Sequence, residues 1–317
     1  MSSKKPLVVT VYVPLCAEAC RFCNRLTCPS MLTTVNRYSN ALRAEIDAVA
    51  PDLEEYEVAA VRFTGGTPLL LGGINVANTL NRLRKHLPFA PDCEVTVETV
   101  TDKIDEYNFH QFAQIGVNRL EVFVPTFVGE EHRKLAAPGV NGHFSLIDTM
   151  RRCLGPENWG LHLLYGFEEQ TEETWKRTLE KAVGFRPSSL RLEAFAGASG
   201  LQTGQTVVEA EKADDSEEAY RSISVEATNH VEVLRQQAEA YLLSEGYEPA
   251  ALDYFAQPGA QPRWATLVAE GVDQLGIGVG TASRWGNYWY CNTPDINHYM
   301  IHAADPEQVI VEAGACE

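Results

Sequence analysis

The sequence predicts an α/β fold: a partial (β/α)6 barrel with a small β-rich extension at the C-terminal end. Two observations carry this. Short apolar runs that read as strands alternate six times with amphipathic helical stretches between residues 7 and 195, over short connections, which implies parallel strands. The length, 317 residues, suits one barrel running as a single unit.

In order, Leu7 to Val13 reads as the first strand. A helix follows over 34–49, with Leu42, Ile46 and Val49 on one face. The second strand covers 57–64, and a helix over 74–87 aligns Ile74, Ala77, Leu80 and Leu83. Strand 93–100 alternates in hydropathy, and Asp102 is placed to cap a helix carrying Ile104, Phe112 and Ile115. Strands over 119–124 and 160–165, a helix over 171–183 and a strand over 190–195 complete the repeats. Between Val208 and Glu218 six acids face only Lys212, the mark of a solvated connection. A helix of about 25 residues then puts Val231, Leu234, Ala238 and Tyr241 on one face. From Tyr247 the chain is β-rich and aromatic. The expected division is a core over 1–205 and, over 206–317, an acidic connection, long helix and extension closing the barrel.

The net charge of −17 opposes phosphate-backbone binding, so no nucleic-acid partner is expected. No apolar run reaches 18 residues and no signal peptide is legible, so no membrane association is expected. Eight cysteines in such a chain point to a reducing, cytoplasmic setting.

Cys16, Cys20 and Cys23 follow the first strand. Thiolates are the ligands of iron–sulfur clusters, and a four-iron cluster normally takes four. Three within eight residues can hold three irons and leave the fourth open, as a catalytic metal centre requires. A zinc knuckle or buried thiols are the alternatives, but no second Cys or His pair follows at zinc spacing. At the end of the second strand, Gly65, Gly66, Thr67 and Pro68 form a turn whose glycines allow close backbone approach to a ligand.

The Cys-x3-Cys-x-Phe-Cys spacing resembles the cluster motif of radical S-adenosylmethionine (SAM) enzymes. Further motifs resemble the HemN-like family, that of oxygen-independent coproporphyrinogen III oxidase and its methyltransferase and cyclopropanase relatives. They are Arg62–Pro68, Val95–Thr99, Gly116–Leu120 with Val124–Phe127, Leu163–Phe167, Tyr254–Pro258 and Leu275–Gly280, in the family's order. The resemblance implies a radical SAM barrel, with a [4Fe–4S] cluster on Cys16, Cys20 and Cys23. It implies one or two SAM molecules held by Phe22, Gly65, Gly66, Thr67, Pro68 and Glu98, with Phe255 and Ala256 lining the second. A flavodoxin or ferredoxin-like donor would supply electrons.

Departures from the pattern narrow the function. Pro125 and His162 replace two polar SAM contacts, and Gln257 replaces a basic residue. His162 and Glu193 are candidate catalytic groups for proton transfer. The family's oxidase follows its third cysteine with Gly-Cys, where this chain has Asn24-Arg25. The haem chaperones carry a histidine motif where this chain has Gln261-Pro262-Arg263-Trp264-Ala265. The expected activity is therefore methyl or methylene transfer from a second SAM to an sp2 carbon of an aromatic or tetrapyrrole substrate. Oxidative decarboxylation and non-catalytic haem binding are the alternatives. Trp285, Tyr288, Trp289 and Tyr290 are candidates for stacking on a flat substrate, against a plain role in core packing.

Overall fold

The computed structural model describes residues 4–17, 25–100, 106–135, 152, 154–155, 158–195 and 225–315. Phe22, Cys20, Cys23, Asp102, Ile104 and the acidic connection lie outside the described residues.

Six strands run parallel and adjacent in chain order: β1 (Lys5–Val13), β4 (Tyr56–Gly65), β5 (Phe89–Val100), β6 (Arg119–Phe123), β7 (Trp159–Tyr165) and β8 (Ser189–Ala194). A two-residue parallel pair, β2 (Leu15–Cys16) and β3 (Cys28–Pro29), brackets the cysteine loop. The C-terminal strands add to both edges of the large sheet. β9 (Glu248–Pro249) and β10 (Tyr254–Ala256) join antiparallel beyond β8. On the other side β11 (Asp273–Ile277) pairs parallel with β1, and β12 (Ala282–Trp285), β13 (Tyr288–Asn292) and β14 (Ile310–Ala315) follow antiparallel. The parallel strand β11 was not foreseen from sequence.

Alternation along the strands separates two faces. Leu7, Val9, Val11, Val61, Phe63, Val95, Val97, Leu120, Leu161 and Leu190 enter the main core together with the helices. Helices Leu32–Val49, Gly73–His86 and Glu172–Gly184 lie where their apolar spacing places them. Thr171 closes the start of the last with a capping box. In helix Val225–Ser244, Leu234, Ala238 and Leu242 are buried, and Trp175 Nε1 donates to Leu234 O at 2.9 Å.

The opposite face is polar, and the sheet curls around it. Arg62 on β4 and Tyr254 on β10 are five strand steps apart, about 24 Å on a flat sheet. Yet Arg62 Nη1 donates to Tyr254 Oη at 2.7 Å. A separate apolar cluster of Val8, Ala60, Tyr254, Trp264 and Ala265 fills this inner side at the strands' N-terminal half.

The hairpin of β12 and β13 runs away from the cysteine loop. Gly286 N donates to Asp273 Oδ1, and Asp273 pairs with Leu7 at the start of β1. Six residues separate Leu7 from Val13, about 20 Å of strand. Trp285 and Tyr288 therefore lie at the end of the sheet opposite Cys16. Trp285 packs edge-on against buried Tyr290 at 5.2 Å. This aromatic group packs within the extension, at the far end of the sheet from Cys16.

A buried carboxylate fastens the extension to the cysteine-loop region. Glu45 accepts hydrogen bonds from Gly278 N (2.8 Å), from Asn292 Nδ2 and from Tyr299 Oη. Gly278, at φ +117°, lies where a Cβ would fall 2.7 Å from Tyr12 O, so only glycine lets β11 pass there. Burial pushes the Glu45 carboxyl up to about 7, against the three hydrogen bonds. A folded value above the unfolded one means a stabilising contribution complete at low pH and lost as pH rises through 7. Unfolding free energies of the parent and of Glu45→Gln should therefore draw apart at pH 5 and together at pH 8, the difference shifting by about 3 kcal/mol in chemical denaturation. A pH-independent difference would contradict this role.

Candidate active site

The site is built where β1, β4, β5, β7 and β8 end. Cys16 is partly exposed after β1, its backbone O accepting from Ser30 N at 3.1 Å. Gly65 pairs with Val13, and the turn that follows lies directly on the cysteine-bearing segment. A Cβ on Gly66 would fall 2.5 Å from Leu15 O and 2.9 Å from Cys16 Sγ. The glycines thus serve close approach to the chain itself. Gly66 N and Thr67 N donate to Val13 O and Leu15 O at 2.8 and 2.7 Å. Pro68 is buried at the start of a short 3-10 turn.

Glu98, at the end of β5, is 6% exposed. Its Oε1 accepts from Arg62 Nε at 2.8 Å and from Nη2, and its Oε2 lies 3.5 Å from Arg25 Nη1. Burial pushes the carboxyl up, but Arg62, Arg25, Arg191 and His162 outweigh it and hold it at about 2. Glu98 is a permanent carboxylate. The same Arg25 Nη1 donates to Gly65 O at 2.6 Å, so one cationic nitrogen sits on both acceptors.

Below Glu98 lies a closed network. Arg62 Nη2 stands 3.1 Å from Glu121 Oε2, Tyr254 Oη donates to Glu121 at 2.6 Å, and the guanidinium covers the Trp264 ring at 4.4 Å. Burial disfavours charge on Arg62, but Glu121, Tyr254 and Glu98 raise its pKa regardless.

His162 and Glu193 come together. His162 is 2% exposed on β7, with its ring edge against Phe123 at 4.9 Å. Its Nε2 is 2.8 Å from Glu193 Oε2. Burial first, then Arg191, pushes the imidazole below its ordinary value, against the pull of Glu193. Burial opposes charge on Glu193, but His162, Arg25 and Arg191 hold its carboxyl well below the usual range. A neutral imidazole beside a carboxylate is the form that accepts a proton.

The remaining expected contacts are placed differently. Phe255 pairs with Leu190 and packs on the outer, helix-covered side, and Ala256 pairs with Ser189 at the start of β8. Neither is brought to Glu98; their neighbour Tyr254 reaches the inner face. Sequence reasoning passed over Arg62, Glu121, Tyr254, Arg191 and the packing of Arg25, although the polar residues alternate with apolar ones along β4, β5, β6 and β8.

The profile of the radical SAM superfamily matches residues 10–182, more than half of the chain. The chain belongs to that superfamily. Within it the chain is HemN-like. It is 24% identical over 314 residues to oxygen-independent coproporphyrinogen III oxidase of Salmonella typhimurium, covering 93% of this chain and 65% of that protein. It is 26% identical over 299 residues to the heme chaperone HemW of Mycobacterium tuberculosis, covering 91% and 73%. The coproporphyrinogen III oxidase (HemN) structure from Escherichia coli, a radical SAM enzyme, superposes with a TM-score of 0.80 at 23% identity, over 99% of this chain and 73% of that one. The chain thus spans about 65% of the length of the oxidase relative first compared.

The described residues fit the group that the superfamily implies. Cys16 lies against the Gly66 turn, and Gly65 O with Glu98 already receives a cationic nitrogen as an amino group would be received. No described helix is long and apolar enough to cross a membrane.

The contact of Gly66 with Cys16 gives a direct check. Gly66→Ala should lose most of its iron after anaerobic reconstitution. Gly129→Ala, whose Cβ meets nothing within 4 Å, should keep it. Equal iron in both would contradict the packing of the turn on the cysteine.

Proposed function

We propose that this HemN-like radical SAM protein transfers a methyl or methylene carbon from a second SAM to an sp2 carbon of an aromatic or tetrapyrrole substrate. Cys16, Cys20 and Cys23 would hold a [4Fe–4S] cluster, which would supply the one-electron chemistry that cleaves SAM, with electrons from a flavodoxin or ferredoxin-like donor. Gly65 O and Glu98, which now take Arg25, would receive the SAM amino group. The inner face excludes water and orients the reactants.

The observation that carries the reaction type is the His162–Glu193 pair. Putting a carbon group on an sp2 carbon in place of hydrogen requires that carbon to release a proton. A neutral imidazole, held 2.8 Å from an ionised carboxylate, is suited to take it. Oxidative decarboxylation, the alternative suggested by the coproporphyrinogen III oxidase relatives, loses carbon dioxide and needs no such base. It is the second reading, favoured by those relatives.

SAM carrying a trideuterated methyl group separates the two. Transfer predicts deuterium in 5′-deoxyadenosine together with S-adenosylhomocysteine. In Glu193→Gln the deuterated nucleoside should persist while methylated product falls. Unlabelled 5′-deoxyadenosine with no S-adenosylhomocysteine would move the decarboxylation reading to first place.

A further inference from the structure

Arg191 stands on the inner face of β8, paired in register with His162 on β7 and Tyr254 on β10. Its side chain is 12% exposed. Among the described residues its polar contact is an ion pair, Nη2 to Glu193 Oε2 at 3.6 Å, longer than a hydrogen bond. No hydrogen bond satisfies its five N–H donors among the described residues. Arg62 in the same cavity is the contrast: its Nε, Nη1 and Nη2 all donate, to Glu98 and Tyr254, and its face covers Trp264.

A nearly buried guanidinium left without hydrogen bonds is expensive, and its planar fork matches a carboxylate in two parallel bonds. Glu193 does not provide that match, because the carboxylate oxygen nearest Arg191 is drawn to His162 Nε2 at 2.8 Å. The charge of Arg191 acts on Glu98, His162, Glu193 and Tyr254, all groups of the polar inner face.

We propose that Arg191 is a carboxylate-binding residue of the inner cavity, taking a carboxylate of the ligand that lies between Glu98 and the His162–Glu193 pair. This rests on the reading that the cavity binds SAM and an organic substrate. Two ligands offer that chemistry: the amino-acid end of a SAM molecule and a carboxylate side chain of the substrate.

The test uses the anaerobically reconstituted full chain as parent, Arg191→Met and Arg191→Lys. Affinities are measured for SAM and decarboxylated SAM, and for coproporphyrin III and its tetramethyl ester. Iron content and thermal melts establish that each variant is folded and loaded. The parent should prefer the free carboxylate in at least one pair. Arg191→Met should shrink that preference roughly tenfold, the scale of a charge-assisted hydrogen-bonded pair, while leaving the masked ligand unaffected. Arg191→Lys, with a point charge in place of the fork, should shrink it less, and it decides the matter if the methionine variant does not fold. A change confined to the SAM pair assigns the carboxylate to SAM, and one confined to the porphyrin pair assigns it to the substrate. Unchanged preferences in both pairs, with or without a lower melting temperature, would overturn the proposal and leave Arg191 a counter-ion of Glu193. These binding readouts need no turnover, so the labelling result and this one can fail separately.

Discussion

The structure depends on one buried guanidinium. Arg62 is 1% exposed and cannot remain charged without compensation, because an uncompensated buried charge costs several kcal/mol. Glu98 and Glu121 give that compensation from β5 and β6, and Tyr254 joins it from β10. Meeting this requirement brings strands from distant places in the sheet to one point, so compensation of the buried charge and the curl of the sheet are one constraint. The same bonds fix Glu98 at the cavity mouth as an ionised carboxylate. A residue suited to grip an amino group is thereby held from below and left open above, where Arg25 now lies across it.

A second, smaller constraint acts on the far side of β1. Glu45 gathers Gly278, Asn292 and Tyr299, while Tyr38 donates to Tyr12 O at 2.9 Å and accepts from Val279 N at 3.0 Å. Tyr12 in turn donates to Leu26 O at 2.9 Å, beyond the cysteine loop. The extension therefore supports the segment on which the cysteines stand, though it contributes no described side chain to the cavity mouth. Its aromatic hairpin points the other way.

Much of this was legible in the sequence. Apolar spacing located the six parallel strands, because a strand covered on its outer side must carry Val, Leu or Ile at every second place. The turn over Gly65–Pro68, Glu98, and His162 and Glu193 as separate candidates were all within reach of motif and strand-end reasoning. The tertiary partners were not. Nothing local in Arg62 says that it meets Tyr254, 192 positions away. The sign that was present, polar residues at alternate positions of β4, β5, β6 and β8, reports a polar inner face without saying which charges pair. Phe255 and Tyr254 show the limit most plainly. A shift of one residue in a strand exchanges the two faces, and the motif alone does not say which residue points inward.

The central claim is that Arg62 and its two carboxylates form one charge-compensated unit on which the inner face is built. A triple-mutant cycle by chemical denaturation tests it most directly. Arg62→Met alone should cost about 3–5 kcal/mol, because it leaves Glu98 and Glu121 buried without their counter-charge. Adding Glu98→Gln and Glu121→Gln to that background should recover much of the loss. Costs that simply add across the three substitutions would contradict the account.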